Sequence, residues 1–166
     1  MTNYADMSKA ARDSQSLFNS FRGRAYGYLD KILQGLSTHC QVPHDKITFL
    51  KLVDEQDGNR TFSPADPGRR YSLSGATVFD DSDGYWNLGI RISLTQLQFI
   101  TFVLCVTEEG GIVKVKTGRN AKPRVLNLDS EGDINAFCDS IADGVVAVFA
   151  EPRSSNSRTL GFGPAL

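Results

Sequence analysis

The residues from Tyr85 to Leu94 alternate between apolar and other side chains, and this alternation constrains the fold more than any other feature of the chain. The apolar members are Trp86, Leu88, Ile90, Ile92 and Leu94, and they are separated by Asn87, Gly89, Arg91 and Ser93. A period of two places successive side chains on opposite faces of a β-strand. The pattern predicts a strand with one face in a hydrophobic core and the other in water.

Four other segments predict strands that accompany this one, because they are rich in β-branched and aromatic residues and end at turn residues. They are Ile47–Val53, Tyr71–Phe79, Phe99–Val106 and Ile112–Lys116. The segment starting at Phe99 is apolar on both faces, which is typical of a central strand. Residues 80–84 and 107–111 have the composition of hairpin connections, and residues 60–70, with two prolines, predict a loop.

Two segments have the spacing of three and four that makes an apolar stripe on a helix. The first begins at Leu17 and continues to Leu36, and Pro43 prevents its extension. The second runs from Ile134 to Phe149 between a capping residue, Ser130, and Pro152. Together these elements predict an α+β fold, with a five-stranded meandering antiparallel sheet and an N-terminal and a C-terminal helix packed on one face.

A chain of 166 residues fits one domain. Residues 1–12 are polar and without a firm pattern, and they predict a flexible N-terminal segment. Residues 13–151 hold all the predicted elements and form a single α+β domain. Residues 152–166 are rich in serine and glycine and predict a flexible C-terminal tail.

The composition excludes several classes of protein. A hydrophobic fraction of 40% with 22% charged residues is ordinary for a globular chain, and no apolar run is long enough to cross a membrane. A net charge of −1 argues against a general coat for nucleic acid or anionic lipid. Cys40, Cys105 and Cys138 are odd in number and far apart, which indicates reduced thiols and, with no signal peptide, a cytoplasmic protein.

No compact catalytic motif occurs. The chain lacks a phosphate-binding loop, a dinucleotide-binding glycine fingerprint and a nucleophile elbow, so the sequence predicts no cofactor and leaves any catalytic residue unknown. His39, Cys40 and His44 form the densest reactive cluster, but a structural zinc site needs four ligands, and the remaining cysteines occupy core positions of predicted elements. We therefore expect no metal site. The acidic clusters near residues 54–57, 80–83 and 108–109 coincide with predicted turns.

The basic residues between 114 and 124 are the only candidates for a binding site. They are Lys114, Lys116, Arg119, Lys122 and Arg124, with no acidic residue among them. Alternation places Lys114 and Lys116 on one strand face, so the five could form a cationic patch for an anion or a partner. The alternative is an edge strand that uses lysine to prevent association between sheets. No aromatic residue alternates with the charges as a base-stacking platform requires.

These observations favour a non-enzymatic binding or regulatory domain that acts through protein–protein contact, as an adaptor, chaperone or inhibitor does. Its expected partner is another protein or a further copy of the chain, with no membrane involved. Two alternatives remain open. One is a small hydrolase or transferase with dispersed catalytic residues, and the other is a weak nucleic-acid binder that uses the basic stretch at 114–124 and is sensitive to salt.

Overall fold

The computed structural model describes residues 1–54, 60–62, 70–150 and 157–159. Its helices are α1 Tyr4–Thr38, α2 Leu73–Ala76 and α3 Glu131–Ala150. Its strands are β1 Ile47–Leu50, β2 Leu52–Asp54, β3 Arg60–Phe62, β4 Val78–Asp80, β5 Tyr85–Ser93, β6 Phe99–Glu109, β7 Ile112–Lys116, β8 Arg124–Val125 and β9 Ser157–Thr159. The predicted α+β class, with an antiparallel sheet, an N-terminal helix and a C-terminal helix, is confirmed.

The sheet is built around β6, as its apolar composition predicts. This strand pairs antiparallel with β5 on one side and β7 on the other, in the order β1-β5-β6-β7-β8. Ile90 lies opposite Phe102, and Val106 lies opposite both Trp86 and Val115. Gly110 and Gly111 make the β6–β7 turn with φ of +57° and +80°, values that favour a two-residue hairpin connection with glycine.

The segment 71–79 departs from the predicted single strand. Ser72 accepts a hydrogen bond from the Gly75 amide and so caps the short helix α2, and only Val78–Asp80 continues as a strand. β4 and β1 then pair with different parts of the same edge of β5, β4 at residues 85–87 and β1 at residues 89–92. The local serine cap overrides the β-propensity of this segment.

Two short strands occur where the sequence predicts irregular chain. Arg60–Phe62 pairs with Leu52–Asp54 as a separate two-stranded sheet, although residues 60–70 predict a loop. Ser157–Thr159, within the predicted tail, pairs in parallel with Phe99–Thr101. The other residues of the predicted tail lie outside the described residues. Three residues can pair through backbone hydrogen bonds whatever their side chains, so neither pairing has a clear sequence signature.

Helix α1 begins at Tyr4, before the predicted start at Leu17, so most of the predicted flexible segment 1–12 is helical. Asn3 caps the helix by accepting from the Asp6 amide, while the Asp6 carboxylate accepts from the Asn3 amide. This reciprocal capping box satisfies amides that would otherwise lack partners. Ser130 caps α3 in the predicted way, through the Asp133 amide.

Both long helices pack on one face of the sheet, where the alternation of β5 places its apolar residues. Leu29 and Ile32 of α1 and Ile141 of α3 lie in one hydrophobic cluster with Leu88 and Ile90. The opposite face differs from the prediction. Residues expected to be in water there are buried, Asn87 and Gly89 on β5 among them, and Tyr85, Val103 and Cys105 form a second small cluster.

Gly35 allows α1 and α3 to approach closely. A Cβ atom at this position would lie 2.8 Å from the Cys138 sulfur and 2.9 Å from a methyl carbon of Ile134. Gly27, two turns earlier on the same helix, has no atom within 4 Å of such a position. The two glycines therefore differ in what an added methyl group would meet.

Alanine at these two positions should change stability in opposite directions. Gly27→Ala should stabilise the protein by up to about 1 kcal/mol, because alanine favours the helix more than glycine. Gly35→Ala gains the same propensity, but the overpacking costs roughly 1–3 kcal/mol. Urea unfolding followed by far-UV circular dichroism measures both. Equal stabilisation of the two variants would show that the helices are farther apart than described.

Candidate functional site

The basic stretch does not form one patch. Lys114 and Lys116 extend from the sheet face opposite the long helices, whereas Arg124 is paired with Val115 and lies on the helix side. There the Arg124 guanidinium lies 3.6 Å from the Asp133 carboxylate of α3 and contacts the Phe137 ring. The alternation of β7 is as predicted, but the return of the chain through β8 divides the cations between two faces.

Lys116 and Arg119 belong to a partly buried network that joins the end of β7 to the β4–β5 turn. The side chain of Lys116 is only 7% exposed, and its Nζ donates to the Arg119 carbonyl at 2.8 Å. The same Nζ lies 3.4 Å from Asp83 Oδ2 and 4.2 Å from the centre of the Tyr85 ring. The ammonium is thus surrounded by a carbonyl, a carboxylate and an aromatic face, and it is not available to a ligand.

The Arg119 guanidinium lies 3.2 Å from Asp80 Oδ2, and the Asp80 side chain is 4% exposed. The other carboxylate oxygen of Asp80 accepts from the amide and hydroxyl of Ser82. Asp80 and Asp83 were predicted to serve turns, and both do so, since Asp83 also accepts from the Tyr85 amide. Asp80 and Asp83 also neutralise Arg119 and Lys116, which lie more than 30 residues away in the sequence.

The two other cations of the basic stretch are more exposed. Lys114 lies 3.6 Å from Glu109 across the β6–β7 hairpin. Lys122 is exposed and has no ion pair with any residue that the structure describes. Four of the five candidate residues therefore pair with carboxylates, one of them on a different face, and Lys122 is the one cation of the stretch that has no ion pair among the described residues.

The reactive cluster predicted from His39, Cys40 and His44 is divided in the same way. His39 Nε2 lies 2.9 Å from Asp139 Oδ1 on α3, whereas His44 Nδ1 lies 3.3 Å from the hydroxyl of Ser37. Gln41, between them, has a positive φ of 59°, which turns the chain sharply after α1. Within residues 1–54, 60–62, 70–150 and 157–159, no three possible metal ligands lie together.

The thiols are not activated as nucleophiles. Burial raises the pKa of Cys105 and of Cys138 to about 12. The pKa of Cys40 is also raised, first by burial and then by the neighbouring charge of Asp139. A nucleophilic cysteine needs a lowered pKa, so that the thiolate is populated near neutral pH.

Ser37 and His44 border a half-open cavity of about 270 Å³ between α1 and β1, with apolar walls formed by Leu33, Ile47, Phe49 and Leu73. A serine nucleophile needs a histidine base that a third group orients. The other ring nitrogen of His44 has no hydrogen bond to any residue that the structure describes. Within the part of the chain that the structure describes, the pair is therefore an incomplete catalytic arrangement.

The first half of α1 is exposed, and its residues before Leu17 lay outside the predicted helix. Every residue from Tyr4 to Leu17 is exposed except half-buried Ser8. Met7 is 57% exposed and Leu17 is 73% exposed. We define the α1 stripe as the residues that continue the buried face of the helix toward its start, namely Tyr4, Met7, Ala11, Ser14, Phe18 and Phe21.

The α1 stripe ends at a cluster of aromatic rings, where the helix meets the sheet. Phe18 and Phe21 each contact both Phe79 of β4 and Trp86 of β5, with ring centres 5.4–6.0 Å apart. Trp86 Nε1 is buried and has no hydrogen-bond partner among the described residues. These contacts show that the α1 stripe lies on the same side of α1 as the residues that pack on the sheet.

An ion-pair network fixes the direction of the helix. Glu108 Oε2 accepts from Arg24 Nε at 2.8 Å and from the Tyr28 hydroxyl at 2.7 Å, which joins α1 to the end of β6. These two hydrogen bonds lower the pKa of Glu108. Burial and the Glu108 contact raise the pKa of Tyr28. The hydrogen bonds to Glu108 therefore hold α1 against the sheet, close to the point where the exposed half of the helix ends.

The signal for the α1 stripe was present in the sequence. Tyr4, Met7 and Ala11 continue the spacing of three and four, but serine, asparagine and charged neighbours dilute it, and only the helix itself makes it visible.

No protein-family model, curated protein or solved structure shows significant similarity to this chain. Among the helices that the structure describes, none is both long and apolar enough to cross a bilayer. The geometry of the chain's own residues is therefore the basis for a functional proposal.

Proposed function

We propose that this protein is a non-enzymatic binding module of the cytoplasm that acts through protein–protein contact, as an adaptor, chaperone or inhibitor does. The observation that carries the proposal is the exposed part of the α1 stripe, in which Tyr4, Met7 and Ala11 continue the apolar face of the helix before its contacts with the sheet begin. Exposed apolar helix faces recognise other proteins by inserting side chains spaced three and four residues apart. The unpaired cysteines are compatible with a reducing compartment.

The alternatives have less support. A hydrolase or transferase would need an activated nucleophile or an oriented base, but the thiol pKa values are raised, and no described residue orients the His44 ring as a third group. Nucleic-acid binding gains affinity from unpaired cations near phosphates. Of the basic stretch, only Lys122 is exposed and unpaired within the described residues. Contact with protein therefore remains the better proposal.

Site-specific photo-crosslinking tests this function. A benzophenone amino acid at Met7 lies on the α1 stripe, and the same group at Ser16 lies on the opposite side of the exposed helix and serves as the matched control. In extracts of the source cells, we expect protein adducts from position 7 and few from position 16. Equal, background labelling at both positions would contradict the proposal, and nuclease-sensitive adducts would favour the nucleic-acid alternative.

A further inference from the structure

We infer that the protein has a phosphate-binding site on the sheet face opposite the long helices, which we call the outer face, centred on the Arg91 guanidinium of β5. The Arg91 site consists of Arg91 and its neighbours on that face, namely Thr48, Ser93, Phe99 and Thr101. Its ligand is a phosphate group, either free or carried on a small molecule. The site goes beyond the proposed protein contact and is separate from the α1 stripe, which lies on the helix side of the sheet.

The Arg91 guanidinium is held in place, but no described residue neutralises its charge. Its central carbon lies 4.3 Å from the centre of the Phe99 ring, so the side chain leans across the sheet from β5 toward β6. Its Nε atom is buried and has no hydrogen-bond partner among the described residues, and no described carboxylate forms an ion pair with it. Part of the group has therefore lost water without gaining an acceptor, which is uncommon in folded proteins and indicates a missing anion.

Three hydroxyl groups flank this arginine on the same face of the sheet. Arg91 is paired with Thr48 of β1 on one side and with Thr101 of β6 on the other. Ser93 lies two residues further along β5, and residues two apart on a strand share a face. None of the three hydroxyls has a hydrogen bond to a described residue. The site thus combines one cation with three hydroxyl donors.

The Arg91 site lies where the outer face becomes accessible. Toward the middle of the sheet, Asn87, Gly89 and Val103 are buried, whereas Arg91 and Ser93 are only half-buried. Within the guanidinium, Nε is enclosed and the two terminal nitrogens are not. A ligand therefore reaches the guanidinium from its open end, where the terminal nitrogens form a fork that matches two oxygens of an anion.

The donors favour a phosphate over a carboxylate. One guanidinium fork already contacts both oxygens of a carboxylate, whereas a phosphate monoester has three strong acceptor oxygens and can also bind the flanking hydroxyls. No strand residue near the site repels an anion. β1 and β5 contain no acidic residue, and the acidic residues of β6, Glu108 and Glu109, lie more than about 20 Å along the strand from Thr101.

Isothermal titration calorimetry of the full chain with inorganic phosphate, at an ionic strength kept constant with chloride, tests the inference. We expect saturable binding that Arg91→Gln weakens by at least about tenfold in Kd, because the charged fork is lost. Arg22→Gln removes the same charge from an exposed position on α1, on the other side of the sheet, and should leave the Kd unchanged. An absence of saturable binding, or equal Kd values for the wild type and Arg91→Gln, would overturn the inference.

Thr101→Val distinguishes a built site from a general attraction between an arginine and anions. The change removes one hydroxyl and no charge, and it should weaken phosphate binding by about three- to tenfold. An unchanged Kd would contradict the site as described. Thermal melting without phosphate checks the fold, and Arg91→Gln should melt close to the wild type because the guanidinium has no described hydrogen bond to lose. If Arg91→Gln nevertheless fails to fold, the result for Thr101→Val decides.

Phenyl phosphate and benzoate identify the chemistry of the ligand, because they share a ring and differ in the anionic group. Phenyl phosphate should bind at least about tenfold more tightly than benzoate if the hydroxyls contact a third oxygen. Equal or tighter binding of benzoate would indicate a carboxylate site and overturn the assignment. Phenyl phosphate that binds more tightly than inorganic phosphate supports a phosphate carried on a small molecule, and the reverse order supports free phosphate.

Discussion

Ile90→Asp should lower the free energy of unfolding by roughly 4 kcal/mol or more, the range expected when a charge is buried without a partner. Ile90 is fully buried at the centre of β5, between Phe49 of β1 and Phe102 of β6, and it faces the helices. A carboxylate there has neither water nor a cation. Since domains are typically stable by about 5–15 kcal/mol, this variant should be largely unfolded or near unfolding at room temperature.

Chemical unfolding monitored by circular dichroism and tryptophan fluorescence measures this loss. Ser93→Asp, on the opposite face at the end of β5, is the matched control and should change stability by less than about 1 kcal/mol. If Ile90→Asp cannot be purified, Ile90→Val should cost about 0.5–1.5 kcal/mol through the lost methylene group. Similar losses from the two aspartate variants would show that the assignment of strand faces is wrong.

Lys116→Glu should be the most destabilising charge reversal in the basic stretch, with a loss of roughly 3–5 kcal/mol. The new carboxylate would lie near the Arg119 carbonyl, near Asp83 and near the face of the Tyr85 ring, all of which favour a cation. The position is almost fully buried, so solvent cannot screen the repulsion.

Lys122→Glu reverses the same charge on an exposed residue and should change stability by less than about 0.5 kcal/mol. Thermal and urea unfolding of both variants, at low and moderate salt, measures the difference. Equal and small effects would place the Lys116 ammonium in solvent and restore the basic stretch as a candidate ligand site.

The α1 stripe shows how an exposed helix can escape a periodicity analysis. Phe18 and Phe21 were included in the predicted helix, but Tyr4, Met7 and Ala11 were assigned to a flexible segment because their neighbours are polar. A helix that packs on a sheet has its polar residues on the solvent side, which leaves a clear apolar stripe. An exposed helix has polar residues on every side, and these obscure the stripe. The capping box at Asn3 and Asp6 was the local signal that could have extended the helix.

The basic stretch shows the opposite error. Its five cations are close in sequence, and the alternation of β7 correctly places Lys114 and Lys116 on one face. The charges of four of the cations, all but Lys122, are however compensated by carboxylates of other elements, namely Asp80, Asp83, Glu109 and Asp133. A sequence shows which charges are neighbours along the chain, but a fold decides which charges meet.

The sequence by itself determined the two apolar helix stripes, the central strands and the hairpins that join them, because these depend on periodicity and on local turn residues. Only the tertiary structure decided that β1 and β4 share one edge of β5, that β9 pairs in parallel with β6, and that the outer face around Asn87 and Cys105 is buried. It also decided that Lys116 is internal while the α1 stripe is exposed. Each of these depends on contacts between residues far apart in the chain, and such contacts leave no local pattern to read.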